Sequence, residues 1–256
     1  MFTCALQSGS NGNCIYVETP DARLLFDAGI SAQCAGKRLA DHGRDITKVD
    51  ALLISHNHSD HVRSAGIFQR KFGHPLYITA GAWQKCRTRL APVCDVRHFE
   101  PGEQLRFGST SVETVATAHD SVDGVAFVVG DEFTRLGIFT DLGHRFDGLE
   151  DWIGSLDAVY LESNYDPQML ADGPYPPWLK RRITGSGGHL SNIEAARLVL
   201  DCGRQLKLLI LSHLSEHNNH PDVALETARE LLGPELPIVL APRTAVSEMF
   251  CLPYAR

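Results

Sequence analysis

Short apolar runs rich in β-branched, leucine and aromatic residues recur along the whole chain, at 14–17, 24–26, 51–54, 76–78, 112–116, 125–129, 136–139, 158–161, 208–211 and 238–240. Runs of this length, bounded by polar or turn-forming residues, predict strands. Helical spacing separates several of them. Residues 60–72 follow Ser59 as a cap, 191–200 open on Ser191 with Glu194 three positions later as a capping box, and 222–232 start after Pro221 and stop at Gly233. Strands dominate the first half, with hairpin-length links such as Phe107-Gly108-Ser109-Thr110, and helices alternate with strands in the second. This order predicts an α/β (α+β) fold, a four-layer αββα sandwich of two packed sheets with helices outside, rather than a doubly wound parallel sheet. No repeat, low-complexity tract or linker interrupts it. The segment Gly173-Pro174-Tyr175-Pro176-Pro177-Trp178 reads as a kinked entry into a helix, so one domain over 1–256 is expected.

Composition narrows the function classes. With 256 residues, 43% apolar and 21% charged, the chain can bury one sizeable core. No stretch approaches the roughly twenty uninterrupted apolar residues of a membrane span, and the first residues carry no basic segment ahead of an apolar one. A cytoplasmic protein without membrane contact or an obligate protein partner is expected. The seven cysteines are odd in number, scattered and never in a CxxC pair, which predicts reduced thiols rather than a disulfide framework or a zinc knuckle. A formal charge of −7 gives no overall attraction to a polyanion. A nucleic-acid substrate would need a local positive centre, which divalent ions supply.

The run Ser55-His56-Asn57-His58-Ser59-Asp60-His61 follows directly on the strand at 51–54. A strand end can turn alternate side chains toward one point, so His56 and His58 can share one ion, with Asp60 and His61 placed one step on for a second. Imidazole and carboxylate together suit divalent ions such as zinc, manganese or iron. Two ions need about seven or eight ligands, and ligand-type residues also stand just past three other strands. These are His119, Asp141 and His213. A loop site on a rigid frame collects groups in this way.

These residues resemble the metallo-β-lactamase fold hydrolases, whose motif looks like His56-x-His58-x-Asp60-His61. The resemblance implies His56, His58 and His119 on a first ion, Asp60, His61 and His213 on a second, and Asp141 bridging both. Asp27, in Leu24-Leu25-Phe26-Asp27-Ala28-Gly29, resembles the buried aspartate that holds a ligand from beneath. Further stretches are similar to the YycJ/WalJ-like group, which is associated with 5′ to 3′ exonuclease activity on DNA. They are Ser8 to Asn13, Glu162-Ser163-Asn164-Tyr165-Asp166, the segment from Gly173 to Ile183, Gly188-His189-Leu190-Ser191-Asn192, and His213-Leu214-Ser215 with Asn218-Asn219. Tyr165 departs from that pattern, where histidine is expected. So does Glu216-His217, where a basic residue precedes an acidic one.

The expected enzyme is thus a phosphodiesterase acting on DNA, dependent on two divalent ions, zinc or manganese. A hydroxide shared by ions about 3.5–4 Å apart serves as nucleophile. Asp60 acts as ligand and orienter of that nucleophile. His189 opens a helix and either protonates the leaving oxygen and contacts phosphate or simply caps the turn. Ser8, Asn11, Asn13, Asn164 and His217 are candidate substrate contacts, although a glycine-rich turn and an exposed polar loop account for most of them equally well. Lys180, Arg181 and Arg182 either track a backbone or form a solvated helix face. The same centre also fits a small-molecule hydrolase of a thioester, lactone or cyclic nucleotide, because fold and metals do not fix the substrate. A metal-binding regulatory protein without turnover is a third class.

Overall fold

The protein is described here by a computed structural model that covers residues 1–252. In chain order the first half runs β1 (Phe2–Gln7), β2 (Cys14–Glu18), β3 (Arg23–Phe26), α1 (Ala32–Ala40), β4 (Ala51–Leu53), α2 (Ser59–Val62), α3 (Ala65–Phe72), β5 (Leu76–Tyr77), α4 (Ala80–Leu90) and β6 (Val96–Arg97). It continues with β7 (Gln104–Phe107), β8 (Thr110–Ala116), β9 (Val125–Gly130), β10 (Arg135–Phe139), α5 (Leu149–Gly154), β11 (Ala158–Glu162), α6 (Pro167–Asp172) and α7 (Pro177–Thr184). The last elements are α8 (Asn192–Cys202), β12 (Leu208–Ser212), α9 (Pro221–Leu232), β13 (Ile238–Leu240) and β14 (Phe250–Cys251).

The strands form two seven-stranded mixed sheets, ordered β14-β1-β2-β3-β4-β5-β6 and β13-β12-β11-β10-β9-β8-β7. Period-2 alternation sorts each strand between two buried faces. Ala5, Ile15, Val17, Leu24 and Phe26 meet Val112, Phe127, Val129, Ile138 and Tyr160 of the other sheet between the layers. Cys4, Leu6, Cys14, Tyr16 and Leu25 point the other way, onto α1, α3 and α4. The outer face of the second sheet is covered by α5, α8 and α9. The result is the αββα sandwich read from the sequence. All seven cysteines are free thiols.

Three local expectations change. The first half holds two helices beyond the expected one, α1 and α4, which open on side-chain caps at Ser31 and Thr79. The expected helix over 60–72 is split at Arg63 and Ser64. Its first turn has its carbonyls drawn sideways, since Asp60 O accepts from Asn13 N at 2.8 Å and His61 O from Ala28 N at 2.6 Å. Ser64 N then bonds Ala28 O at 2.9 Å instead of the carbonyl four residues back. Finally, Ser59 is the first residue of α2 rather than its cap, which is His58 without a side-chain bond. The capping box of α8 forms as expected, with Ser191 and Glu194 reciprocally bonded, and α7 starts at the second of two prolines.

The loop–α2 junction positions the site by close backbone approach. Gly29 N bonds Asn13 O at 2.8 Å, and a Cβ at Gly29 would lie 1.6 Å from Asp60 O. Only glycine fits there.

Candidate metal centre

Every group singled out past a strand end comes to one edge where the two sheets meet. From the first sheet, Asp27 follows β3 and His56 follows β4, with His58, Asp60 and His61 entering α2. From the second, His119, Asp141 and His213 follow β8, β10 and β12. Asp27, Asp141 and His213 adopt positive φ (65°, 54° and 56°) without being glycine. Such backbone costs about 1–3 kcal/mol per residue and persists only where surroundings over-determine it. Here it bends three chains inward at the same level.

The donor atoms fall into overlapping sets, each with its atoms within 4.8 Å of one another. One is His56, His58 and His119; a second is Asp60, His61 and His213; a third is His56, His61 and Asp141. His58 Nδ1 and His119 Nε2 are 3.2 Å apart, and His213 Nε2 and Asp60 Oδ2 are 3.3 Å apart. Two ligands on a tetrahedral ion, each at about 2.0–2.1 Å, stand about 3.4 Å from one another, so these spacings match a shared cation.

Tautomers support the same reading. His61 Nδ1 lies 2.7 Å from Asp27 Oδ2, and His119 Nδ1 lies 2.8 Å from Gly188 O. Donation through Nδ1 leaves the lone pair on Nε2, the arrangement of a histidine ligand held from behind. The Nε2 of His61 then faces Asp141 Oδ2 at 2.7 Å. His56 Nε2 is buried without a hydrogen-bond partner, in the same donor set as His61 and Asp141. A buried lone pair left unpaired is costly unless a cation takes it up. The residues therefore fit divalent metal ions.

Asp27 touches only protein. Its other oxygen accepts from Ser55 N at 2.8 Å, so it fixes the His61 ring while standing outside the donor cluster. Asp27→Asn should keep the fold and lower metal affinity by about 10- to 100-fold, as loss of such orienting partners does. Metal titration followed by calorimetry checks this, and unchanged affinity would remove Asp27 from that role.

Charge is distributed unevenly over the cluster. Burial holds His56 well below the ordinary imidazole range and also lowers His58. Burial opposes protonation of His61 too, but Asp27, Asp141 and Asp60 outweigh it and push it well up. His213 likewise rises against burial, through Asp141, Asp60 and Glu162, to about 10. Asp141 stays ionised despite burial because His213 and His61 face it.

Glu162, the last residue of β11, was not singled out as a site residue. It is fully buried, accepts from His189 Nδ1 at 2.6 Å, and stands 3.4 Å from His213 Nδ1. Burial works against its ionisation, yet His189 brings its carboxyl down to about 2. It ends its strand as the other site residues follow theirs, and that position was its signal. His189 is in turn raised by Glu162 against burial.

The centre floors a cleft of about 310 Å³ lined by His58, Asp60, His119, Asp141, His189 and His213, with Ser10, Asn164, Tyr175, Leu179, Arg182 and Ile183 around them. Asn164 lines this cleft, and its amide donates to His213 O at 2.9 Å. The other candidate substrate contacts lie elsewhere. Ser8 is buried with Oγ accepting from His213 N at 2.9 Å, and Asn13 is buried with its amide 3.0 Å from His61 Nε2, so neither lines the cleft. Asn11 is turned to Arg243 O at 3.0 Å. His217 is exposed against the edge of Tyr175, whose ring faces the cleft in its place.

Comparison with known proteins gives a consistent result. The family model of the Metallo-beta-lactamase superfamily matches residues 8–178. The chain is 34% identical over 224 residues to "Exodeoxyribonuclease WalJ" of Streptococcus pneumoniae serotype 2 (strain D39 / NCTC 7466), covering 86% of this chain and 83% of that protein. It is 32% identical over 230 residues to "Exodeoxyribonuclease YycJ" of Bacillus anthracis, covering 89% and 87%. Among solved structures, the metallo-beta-lactamase fold protein YhfI from Bacillus subtilis superposes with a TM-score of 0.74 at 20% identity, over 96% of this chain and 99% of that one. At that identity the likeness concerns the fold.

Proposed function

The chain belongs to the metallo-β-lactamase superfamily of metal-dependent hydrolases, and on that premise we propose that it is a DNA exonuclease working from the 5′ end with two divalent ions, zinc or manganese. The observation that carries the reading is the convergence of seven donor side chains from both sheets, five of them lining one cleft, in a chain similar along most of its length to two exodeoxyribonucleases. His56, His58 and His119 would hold one ion, Asp60, His61 and His213 the other, and Asp141 would face both. Five imidazoles and two carboxylates suit zinc by softness and also admit manganese.

When bound, the ions acidify water and offset the charge that grows on phosphoryl oxygens. The rest falls to the protein. Asp60 has a side chain 21% exposed, against 3% for Asp141, and is the carboxylate of the set that reaches solvent, placed to orient the nucleophile. His189 stands in the cleft wall with Nδ1 engaged by Glu162, which favours its protonated form against burial. It can pass the proton on its other nitrogen to the departing oxygen, as a general acid should.

The test is end-labelled single- and double-stranded DNA offered beside a thioester panel, with manganese or zinc and again after chelation. Degradation of 5′-labelled DNA from its end, lost with chelator and regained with metal, is expected. Intact DNA with thioester turnover would replace this reading by the small-molecule one.

Metal uptake should also be linked to protons. His56 and His58 are neutral and ready, whereas His61 and His213 carry protons at neutral pH that a cation must displace. Affinity at the Asp60 side should thus rise with pH, about tenfold per unit for each proton displaced, until the His213 proton leaves unaided near pH 10. Calorimetry in buffers of differing ionisation enthalpy counts those protons; none released at pH 7 would contradict the charge state described.

A further inference from the structure

Helix α7 carries residues that the metal chemistry does not use. Trp178, Arg181 and Arg182 stand at i, i+3 and i+4 and so share one face. Leu179 and Ile183 turn inward to an apolar cluster with Tyr165, Leu170 and Tyr175. Lys180 is tied back, its amine donating to Ala171 O at 2.6 Å. Trp178 is left 62% exposed, a large aromatic surface in water beside two guanidinium groups.

Arg182 joins this face to the cleft. Its Nε and one terminal nitrogen bond the two oxygens of Asp120 at 2.6 and 3.0 Å. Asp120 in turn lies 3.5 Å from His119 Nε2 and 3.8 Å from His58 Nε2. A forked arginine–carboxylate pair has the geometry of an arginine–phosphate pair. The guanidinium thus already holds an anionic group at the rim of the metal cluster. That pair is open to water, so exchange of the carboxylate for a phosphate costs little.

We propose that α7 is the track for a single DNA strand entering the centre: Arg182 seats the phosphate beside the scissile one, and Arg181 and Trp178 hold the nucleotides that follow, Trp178 by stacking on a base. This rests on the phosphodiesterase reading above and names the form of DNA that the site takes. Two features favour a single strand. A cleft of about 310 Å³ is at the low end of the roughly 300–1,000 Å³ of ligand sites and matches one nucleotide-sized unit at the metal cluster. Alternating aromatic and cationic groups are also how proteins hold unpaired nucleic acid, the face of every base being able to stack.

The experiment measures binding of a nuclease-resistant phosphorothioate oligothymidylate to the manganese-loaded protein by anisotropy, with an abasic oligomer of equal length beside it. Trp178→Ala should weaken oligothymidylate binding about tenfold and leave the abasic oligomer little changed, and Trp178→Phe should restore most of the loss. Arg181→Ala and Arg182→Ala should each lower the slope of log affinity against log salt by about one. The ratio of kcat/KM on unprotected oligonucleotide to that on bis(p-nitrophenyl) phosphate should fall about tenfold in Trp178→Ala. A merely structural defect of α7 would lower both rates together. Equal binding by wild type and Trp178→Ala, or no preference for oligothymidylate over the abasic oligomer, overturns the track. Failure of the wild type to turn over either phosphodiester would instead overturn the function on which it rests.

Discussion

Asp141→Ala is expected to lower the rate of DNA hydrolysis by about a thousandfold or more while leaving a folded protein. Its carboxylate faces four imidazoles, with His61 Nε2 at 2.7 Å, His189 Nδ1 at 3.3 Å, His213 Nδ1 at 3.5 Å and His119 Nε2 at 3.6 Å. Truncation removes the shared negative charge from a cluster of five histidines, so both metal positions weaken at once, unlike loss of an orienting partner, which costs about 10- to 100-fold. The protein should survive because Asp141 lies just past β10 and its loss breaks no ladder bond, while alanine at this positive φ adds a strain of only about 1–2 kcal/mol. Metal content and single-turnover rate check this. Full metal occupancy with a rate within tenfold of wild type would show that Asp141 is not the common ligand.

Gly29→Ala is expected to damage both fold and function. The added methyl group would sit 1.6 Å from Asp60 O and 2.5 Å from Asn13 N, both backbone atoms that no rotamer change can move. Either the β-loop or α2 must shift by more than an ångström, at a cost of about 3 kcal/mol or more. For a chain of this size that lowers Tm by roughly 6–12 °C. Because the displaced carbonyl belongs to Asp60, metal affinity should fall alongside stability. A calorimetric scan with and without metal separates the two, and a Tm within a degree or two of wild type would mean that the contact relaxes freely.

The fold was legible where apolar runs were continuous. Strands such as β2, β9 and β12 bury both faces, and their apolar runs stand out against polar turns. Helix α4 was not legible, because its buried stripe is Ala82, Cys86 and Leu90, whereas α1 sets Ala32, Ala35 and Leu39 against a polar face behind its Ser31 cap and was overlooked. Small residues give a weak apolar period. The break between α2 and α3 is set by Ala28 and Asn13, thirty to fifty positions away, and local sequence carries no trace of them. Within the centre, side chains of ligand type just past strand ends were readable, since strand ends on one sheet edge converge. Glu162 obeyed that rule from inside its strand and was passed over. Ser8 and Asn13 could not be oriented from sequence. Their loop folds under the centre because the amide of His213 and the ring of His61 need polar neighbours there, a demand that exists only once the chain has closed on itself.

That closure has a consequence during synthesis. His213 is the last of the proposed ligands to leave the ribosome, its amide waits for Ser8 from the very start of the chain, and Ser8 N binds Pro242 O at 3.0 Å. A nascent or prematurely terminated fragment ending before β12 therefore owns most of the imidazoles and none of the finished cage. The cage therefore closes only after β12 has joined its sheet and the loop at Ser8 has packed beneath it.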